Sequence, residues 1–160
     1  MLEVKIFPER EAMGKEAARD VSKTIKKLLE EKEEINMIFA AAPSQSDFMK
    51  ELIHDTSIEW RKINAFHMDE YIGLEKEAPQ RFGNFLKRNL FDQVPFKSIN
   101  LINGQVENPQ TESERYAALL NEYPVNIVCL GIGENGHIAF NDPPVADFND
   151  PKPVKVVELE

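Results

Sequence analysis

The chain has 160 residues, 42% hydrophobic and 29% charged, the balance of one folded domain spanning 1–160 and not of a disordered tract. Its 19 Lys and Arg against 28 Asp and Glu give a net charge of −9, which argues against nucleic acid or an anionic membrane as a partner. The single cysteine, Cys129, excludes an internal disulfide; with no signal-peptide h-region in MLEVKIFPER and no apolar run of about 20 residues, a cytoplasmic protein is expected.

In chain order, residues 4–7 (VKIF) predict a short strand ended by Pro8. Ala17, Val21, Ile25 and Leu28 then recur at helical spacing and mark one stripe of an amphipathic helix. Residues 37–42 (MIFAAA) predict a second strand bounded by Pro43, and Phe48, Met49, Leu52 and Ile53 a second helix. A strand over 63–68 (INAFHM) and a helix over 81–91, carrying Phe82, Phe85, Leu86 and Leu90, continue the alternation. Residues 99–103 (INLIN) form a strand closed by Gly104, and Thr111 with Glu114 three residues on predicts a capped helix start, with Pro124 after the helix. Residues 126–130 (NIVCL) read as a strand buried on both faces, and 153–159 (PVKVVEL) as a last strand. Alternating strands and helices imply an α/β fold, a Rossmann-like parallel sheet with helices on both faces. A chain that stops at a strand, with no helix to cover it, reads as incomplete at its C-terminus.

Ligands of open parallel sheets bind outside the carboxyl ends of the strands. Three such ends carry unusual polar sequence: AAAPSQSDF, HMDEYIGL and GIGENGHIAFNDPP. In the last, Gly131, Gly133 and Gly136 match the G-x-G-x-x-G dinucleotide fingerprint, with Glu158 about 20 residues on. That chemistry needs a helix starting at the third glycine, and Pro143–Pro144 would break it, so no nicotinamide or flavin is expected. The segment reads better around His137, with Asn135 and Asp142 placed to bond one ring nitrogen and leave the other as a base. A solvated Asn-Gly turn is the plain alternative. Asp69 and Glu70 end a strand, where the pleat sends them to opposite faces, so at most one carboxylate meets a given ligand. Burial there would raise its pKa and suit it to act as a base, whereas a solvated acidic turn would not. Ser44 and Asp47 stand at capping-box spacing, at a helix start that favours an anion. Cys129 reads as a core residue, and Asp142, Asp147 and Asp150 lack the spacing of a calcium loop, so no metal site is expected.

Residues 66–74 (FHMDEYIGL) and 131–143 (GIGENGHIAFNDP) together resemble the glucosamine-6-phosphate deaminase (isomerase) family, and the order of elements agrees along the chain. The related 6-phosphogluconolactonases usually have threonine after the histidine and arginine after the Asp-Glu pair, where this sequence has Ile138 and Tyr71. The resemblance implies conversion of glucosamine 6-phosphate to fructose 6-phosphate and ammonia, without metal or organic cofactor. Asp69 would move the proton between C2 and C1, and His137 would open the ring, oriented by Asn135 and Asp142. Ala42, Ser44, Gln45, Glu70, Gly133 and Gly136 would contact the phosphosugar, and a homo-oligomer is compatible with the family. A lactonase-like or other phosphosugar enzyme and a catalytically silent sugar-phosphate sensor are the alternatives. Two departures stand out. Asp142 replaces the family's glutamate, one methylene longer, which predicts a weaker or water-mediated contact with His137. AAAPSQ replaces a glycine-rich phosphate loop, with Pro43 where glycine is usual, so phosphate recognition would lean on Ser44, Gln45 and Ser46. Family members also continue well past the strand matching PVKVVEL.

Overall fold

The computed structural model describes residues 2–159. A long helix α1 (Arg10–Glu31) leads into strand β1 (Ile35–Phe39), a 3₁₀ turn (Pro43–Gln45) and helix α2 (Ser46–Ile53). A second 3₁₀ turn (Trp60–Lys62) precedes β2 (Ile63–His67), followed by α3 (Phe82–Leu86), which widens into a π turn (Lys87–Phe91). Strand β3 (Ser98–Asn100), helix α4 (Pro109–Glu122) and strand β4 (Ile127–Cys129) complete the elements.

The four strands are parallel in the order β3-β2-β1-β4. The chain therefore winds outward from β1 to β3 and then crosses back through α4 to lay β4 on the other side of β1. That reversal opens a crevice at the carboxyl ends of β1 and β4, where doubly wound sheets take their ligands.

The pleat divides the sheet residues between two layers. Ile35, Met37, Phe39, Ile63 and Ala65 face α1, α2 and the π turn and form the main core with Ile25, Leu52, Leu90 and Phe91. On the opposite face Phe66 packs against Tyr116 of α4, ring centroids 6.1 Å apart. Helices thus pack on both sides of the sheet, but the second face is only partly covered: Val128 of β4 is 47% exposed, so β4 is not the strand buried on both faces that its apolar run predicts. Between α4 and the segment 147–159 this second face stays open as a groove of about 660 Å³ that reaches Ile38 and Val128.

Several local expectations are revised by tertiary context. In α1 the buried stripe runs through Gly14, Ala18, Ser22 and Ile25, while Ala17 is exposed. A Cβ on Gly14 would stand 2.8 Å from the Cβ of Asp47, so the crossing of α1 over the start of α2 requires glycine there. Helix α4 begins at Pro109, capped by Asn108, whose side chain accepts from the N–H groups of Gln110 and Thr111. Asn followed by Pro satisfies the helix start two residues before Thr111, leaving the predicted box unformed. Neither end segment joins the sheet. Residues 4–7 take no regular secondary structure and pair with no strand, and Lys5 reaches Asp20 of α1 at 2.6 Å. Residues 153–159 line the groove without strand pairing, behind Pro151 and Pro153, which lack the donors a ladder needs.

Candidate active site

The three polar strand ends converge. Ala40, Ala41, Ala42 and Ser44 after β1, Met68 and Asp69 after β2, and Gly131, Gly133 and His137 after β4 line one cavity of about 270 Å³. Phe82, Ala139 and Phe140 complete its wall.

Beyond β2, after a bend at Met68, the two carboxylates part. Asp69 enters the cavity and has no hydrogen-bond partner among the described residues. Burial, and after it the negative charge of Glu70, pushes its pKa from 3.8 up to about 6. Glu70 turns away. Its side chain is fully buried, and its carboxylate accepts from the N–H groups of Tyr71, Phe82 and Gly83, each at 3.0 Å. It therefore caps α3, and its oxygens are taken up by backbone donors and not offered to a ligand, contrary to a direct role in substrate binding.

The loop after β4 is organised from within. The Gly136 N–H donates to the Gly133 carbonyl at 3.0 Å, with Gly136 at φ +86°, and the Gly133 N–H donates to the His137 carbonyl at 2.9 Å. These bonds fold the imidazole back over Gly133, where a Cβ would fall 2.2 Å from the ring. Gly133 thus provides the space for the ring, and Gly136 forms the turn; Gly136 itself is outside the cavity lining. No helix follows Gly136, which removes the structural basis for a dinucleotide site.

His137 Nδ1 lies 2.7 Å from Asn135 Oδ1 and 3.1 Å from Asp142 Oδ1. Asn135 in turn donates its Nδ2–H to Asp142 Oδ1 at 2.9 Å. A carboxylate only accepts, which orients the Asn135 amide and directs its oxygen to Nδ1. The neutral ring thereby carries its proton on Nδ1 and leaves the Nε2 lone pair free. Asp142 makes this contact directly; the shorter side chain reaches because the loop brings residues 135, 137 and 142 together. Ala139 follows at φ +53°, a left-handed conformation that non-glycine residues adopt only under local constraint.

The loop after β1 differs from expectation. Ala42 is extended and Pro43 opens a 3₁₀ turn, so Ser44 sits inside that turn and caps nothing. Asp47 is engaged by Arg10 at 2.6 Å, so the predicted capping box does not form. Ser44 faces the cavity, whereas the Gln45 amide stands against Gly131, 3.5 Å from where its Cβ would be.

Sequence reasoning missed the aromatic wall. Phe82 stacks on Phe140 with centroids 5.7 Å apart, and Tyr71 packs against both at 4.9 and 5.2 Å. Phe82 was legible as a helix residue, but nothing local brings it to Phe140. Among the described residues no group of three or more His, Cys, Asp and Glu side chains is arranged to hold a metal ion.

The chain is a doubly wound parallel α/β domain, a class that takes its ligands at the carboxyl ends of its strands, and a free carboxylate and an oriented imidazole stand at that switch point. Comparison with known proteins narrows this class. Residues 8–152 match the model for glucosamine-6-phosphate isomerases/6-phosphogluconolactonase, and the chain belongs to that family. A glucosamine-6-phosphate deaminase of an Exiguobacterium species is 43% identical over 98 residues, 61% of this chain and 39% of that protein. The Streptococcus pneumoniae enzyme of the same name is 39% identical over 104 residues, 65% of this chain and 44% of its own. A solved monomeric glucosamine-6-phosphate deaminase superposes with a TM-score of 0.78 at 28% identity, over 89% of this chain and 60% of its own. The Thermotoga maritima 6-phosphogluconolactonase shares the fold with a TM-score of 0.71 at 20% identity, over 79% of this chain and 59% of its own. The matched stretch thus covers less than half of these two curated relatives. No described helix is long and apolar enough to cross a membrane.

Proposed function

We propose that this chain carries the catalytic centre of a glucosamine-6-phosphate deaminase. The observation that carries the reading is the pairing of Asp69, a half-buried carboxylate without partners among the described residues, with His137, held through Nδ1, on one cavity. Identities of 39% and 43% to proteins named for that activity support it over the lactonases, where the likeness is one of fold.

His137 Nε2 takes the proton of the C1 hydroxyl as the ring C–O bond breaks, and the ring oxygen is protonated to give the open-chain aldehyde. Asp69 then removes the C2 proton and delivers it to C1, while O1 gains a proton and the amine gives one up, so that C1 becomes an alcohol and C2 an imine. Water adds to the imine and ammonia leaves, giving fructose 6-phosphate. A positioned general base of this kind contributes about 10²–10⁴ in rate. A carboxylate titrating at about 6 is ionised at neutral pH yet basic enough to take a proton from carbon next to a carbonyl. Ser44 and the backbone after Ala42 supply the phosphate contact, with Pro43 contributing no donor.

The test is release of ammonia and fructose 6-phosphate from glucosamine 6-phosphate by the full-length gene product, with 6-phosphogluconolactone as the parallel substrate. Turnover that persists in EDTA and disappears in Asp69→Asn supports the reading, including a reaction carried by side chains alone. A folded full-length protein that turns over only the lactone, or nothing, overturns it.

A further inference from the structure

Glu70 is the most enclosed charged side chain near the cavity, yet it takes no part in the proton transfers. Three N–H donors, from Tyr71, Phe82 and Gly83, converge on its two oxygens at 3.0 Å. The Arg81 Nε stands 3.7 Å behind it and makes no hydrogen bond. Two of the donors belong to the first turn of α3, whose Phe82 side chain is a wall of the cavity and stacks on Phe140. One carboxylate therefore joins the end of β2, where Asp69 sits, to the wall across which a ligand must lie.

We propose that Glu70 is a positioning residue, which holds the Phe82 wall in place and fixes the electrostatic field in which Asp69 works. The proposal rests on Asp69 as the reacting base. A buried negative charge on the adjacent residue disfavours ionisation of Asp69, in the sense its raised pKa shows, with burial as the larger cause. The other charged groups around Asp69 do not substitute for it. His137 lines the same cavity with its Nδ1 engaged by Asn135 and Asp142, Arg81 lies behind Glu70, and His67 is fully buried with its pKa pushed down to about 3 by burial and then by Arg81, so it carries no charge at neutral pH. In the adjoining groove Glu112 pairs with Arg115 and Lys155 with Asp150, and Asp147 and Lys152 are exposed and screened by solvent.

The experiment compares wild type with Glu70→Gln in the full-length protein. The Asp69 carboxyl is titrated by ¹³C NMR, and kcat and KM for glucosamine 6-phosphate are measured across pH. Loss of the neighbouring charge is expected to lower the Asp69 midpoint by about 0.5–1 pH unit and to move the acid limb of kcat/KM with it. An unmoved midpoint in a folded Glu70→Gln overturns the proposal. So does a rise in KM alone with the midpoint unmoved, which would make Glu70 a substrate ligand. Where Glu70→Gln fails to fold, Glu70→Asp keeps the charge but withdraws it from α3. There KM is expected to rise several-fold with the midpoint near that of wild type, and wild-type kinetics overturn the proposal. A lowered midpoint in a protein without deaminase turnover upholds the Glu70 assignment while sinking the deaminase reading.

Discussion

The two reacting groups are built in opposite ways. Asp69 owes its properties to distance in sequence: the cavity that buries it is assembled from residues 40 to 140, and its neighbour Glu70 is held by residues 82 and 83. His137 owes its orientation to residues within five positions, through the Asn135 and Asp142 bonds and the space over Gly133. A base whose pKa must be moved needs a low-dielectric surrounding, which only packing provides. A base that needs a defined tautomer is served by a short polar loop, even one half in water.

The largest expected effect tests the carboxylate of the pair. Asp69→Asn should lower kcat for glucosamine 6-phosphate by about 10²–10⁴ with a smaller change in KM, in a steady-state assay at neutral pH. If the loop is as self-contained as its hydrogen bonds indicate, Gly133→Ala should disable it alone. The new Cβ displaces the ring, so kcat/KM should fall by about 10²-fold while far-UV circular dichroism stays that of wild type. Asp142→Asn retains shape but replaces the carboxylate that steadies Nδ1, and a fall of about 10-fold in kcat/KM is expected.

The fourth prediction concerns stability. Asp69 titrates at about 6 in the fold against 3.8 as the reference value, so the folded state holds the proton longer as pH rises. Its contribution is fully present below about pH 4 and is lost as pH rises through about 6. Asp69→Asn escapes that loss and should be more stable than wild type by on the order of 1–2 kcal/mol at about pH 7.5, with the gap closing below about pH 4. Thermal melts at the two pH values read this directly, and equal melting at both would mean the carboxylate is not desolvated. The smallest effect is expected from Ala139→Gly, which releases a left-handed alanine and should add about 0.5 kcal/mol, seen as a slight rise in Tm.

Much of the fold was legible because strand cores and amphipathic helices write their own period. Residues 63–68 became β2 at Ile63–His67, and 126–130 became β4 at Ile127–Cys129, within a residue or two. The helix over 81–91 was placed correctly but not its π turn, in which the Asp92 N–H donates to the Lys87 carbonyl so that Leu90 and Phe91 both reach the core. The end segments misled because a strand exists only with a partner. Residues 4–7 leave Val4 73% and Ile6 91% exposed, with no ladder to join. At the site, Asp69 and His137 were visible as polar residues at strand ends. Ser44 and Gln45 were grouped together, yet the 3₁₀ turn sends only Ser44 into the cavity.

The sequence by itself determined the alternation of strand and helix, the three polar strand ends and the internal wiring of the His137 loop. Each of these depends on residues a few positions apart, whose spacing sets which side chains share a face or a turn. The tertiary structure alone decided that β4 would cross back beside β1, that Phe82 would meet Phe140, and that Glu70 would cap α3 and leave the cavity to Asp69. Those outcomes follow from burying apolar surface and satisfying backbone donors across the whole chain, a balance that no local stretch of sequence records.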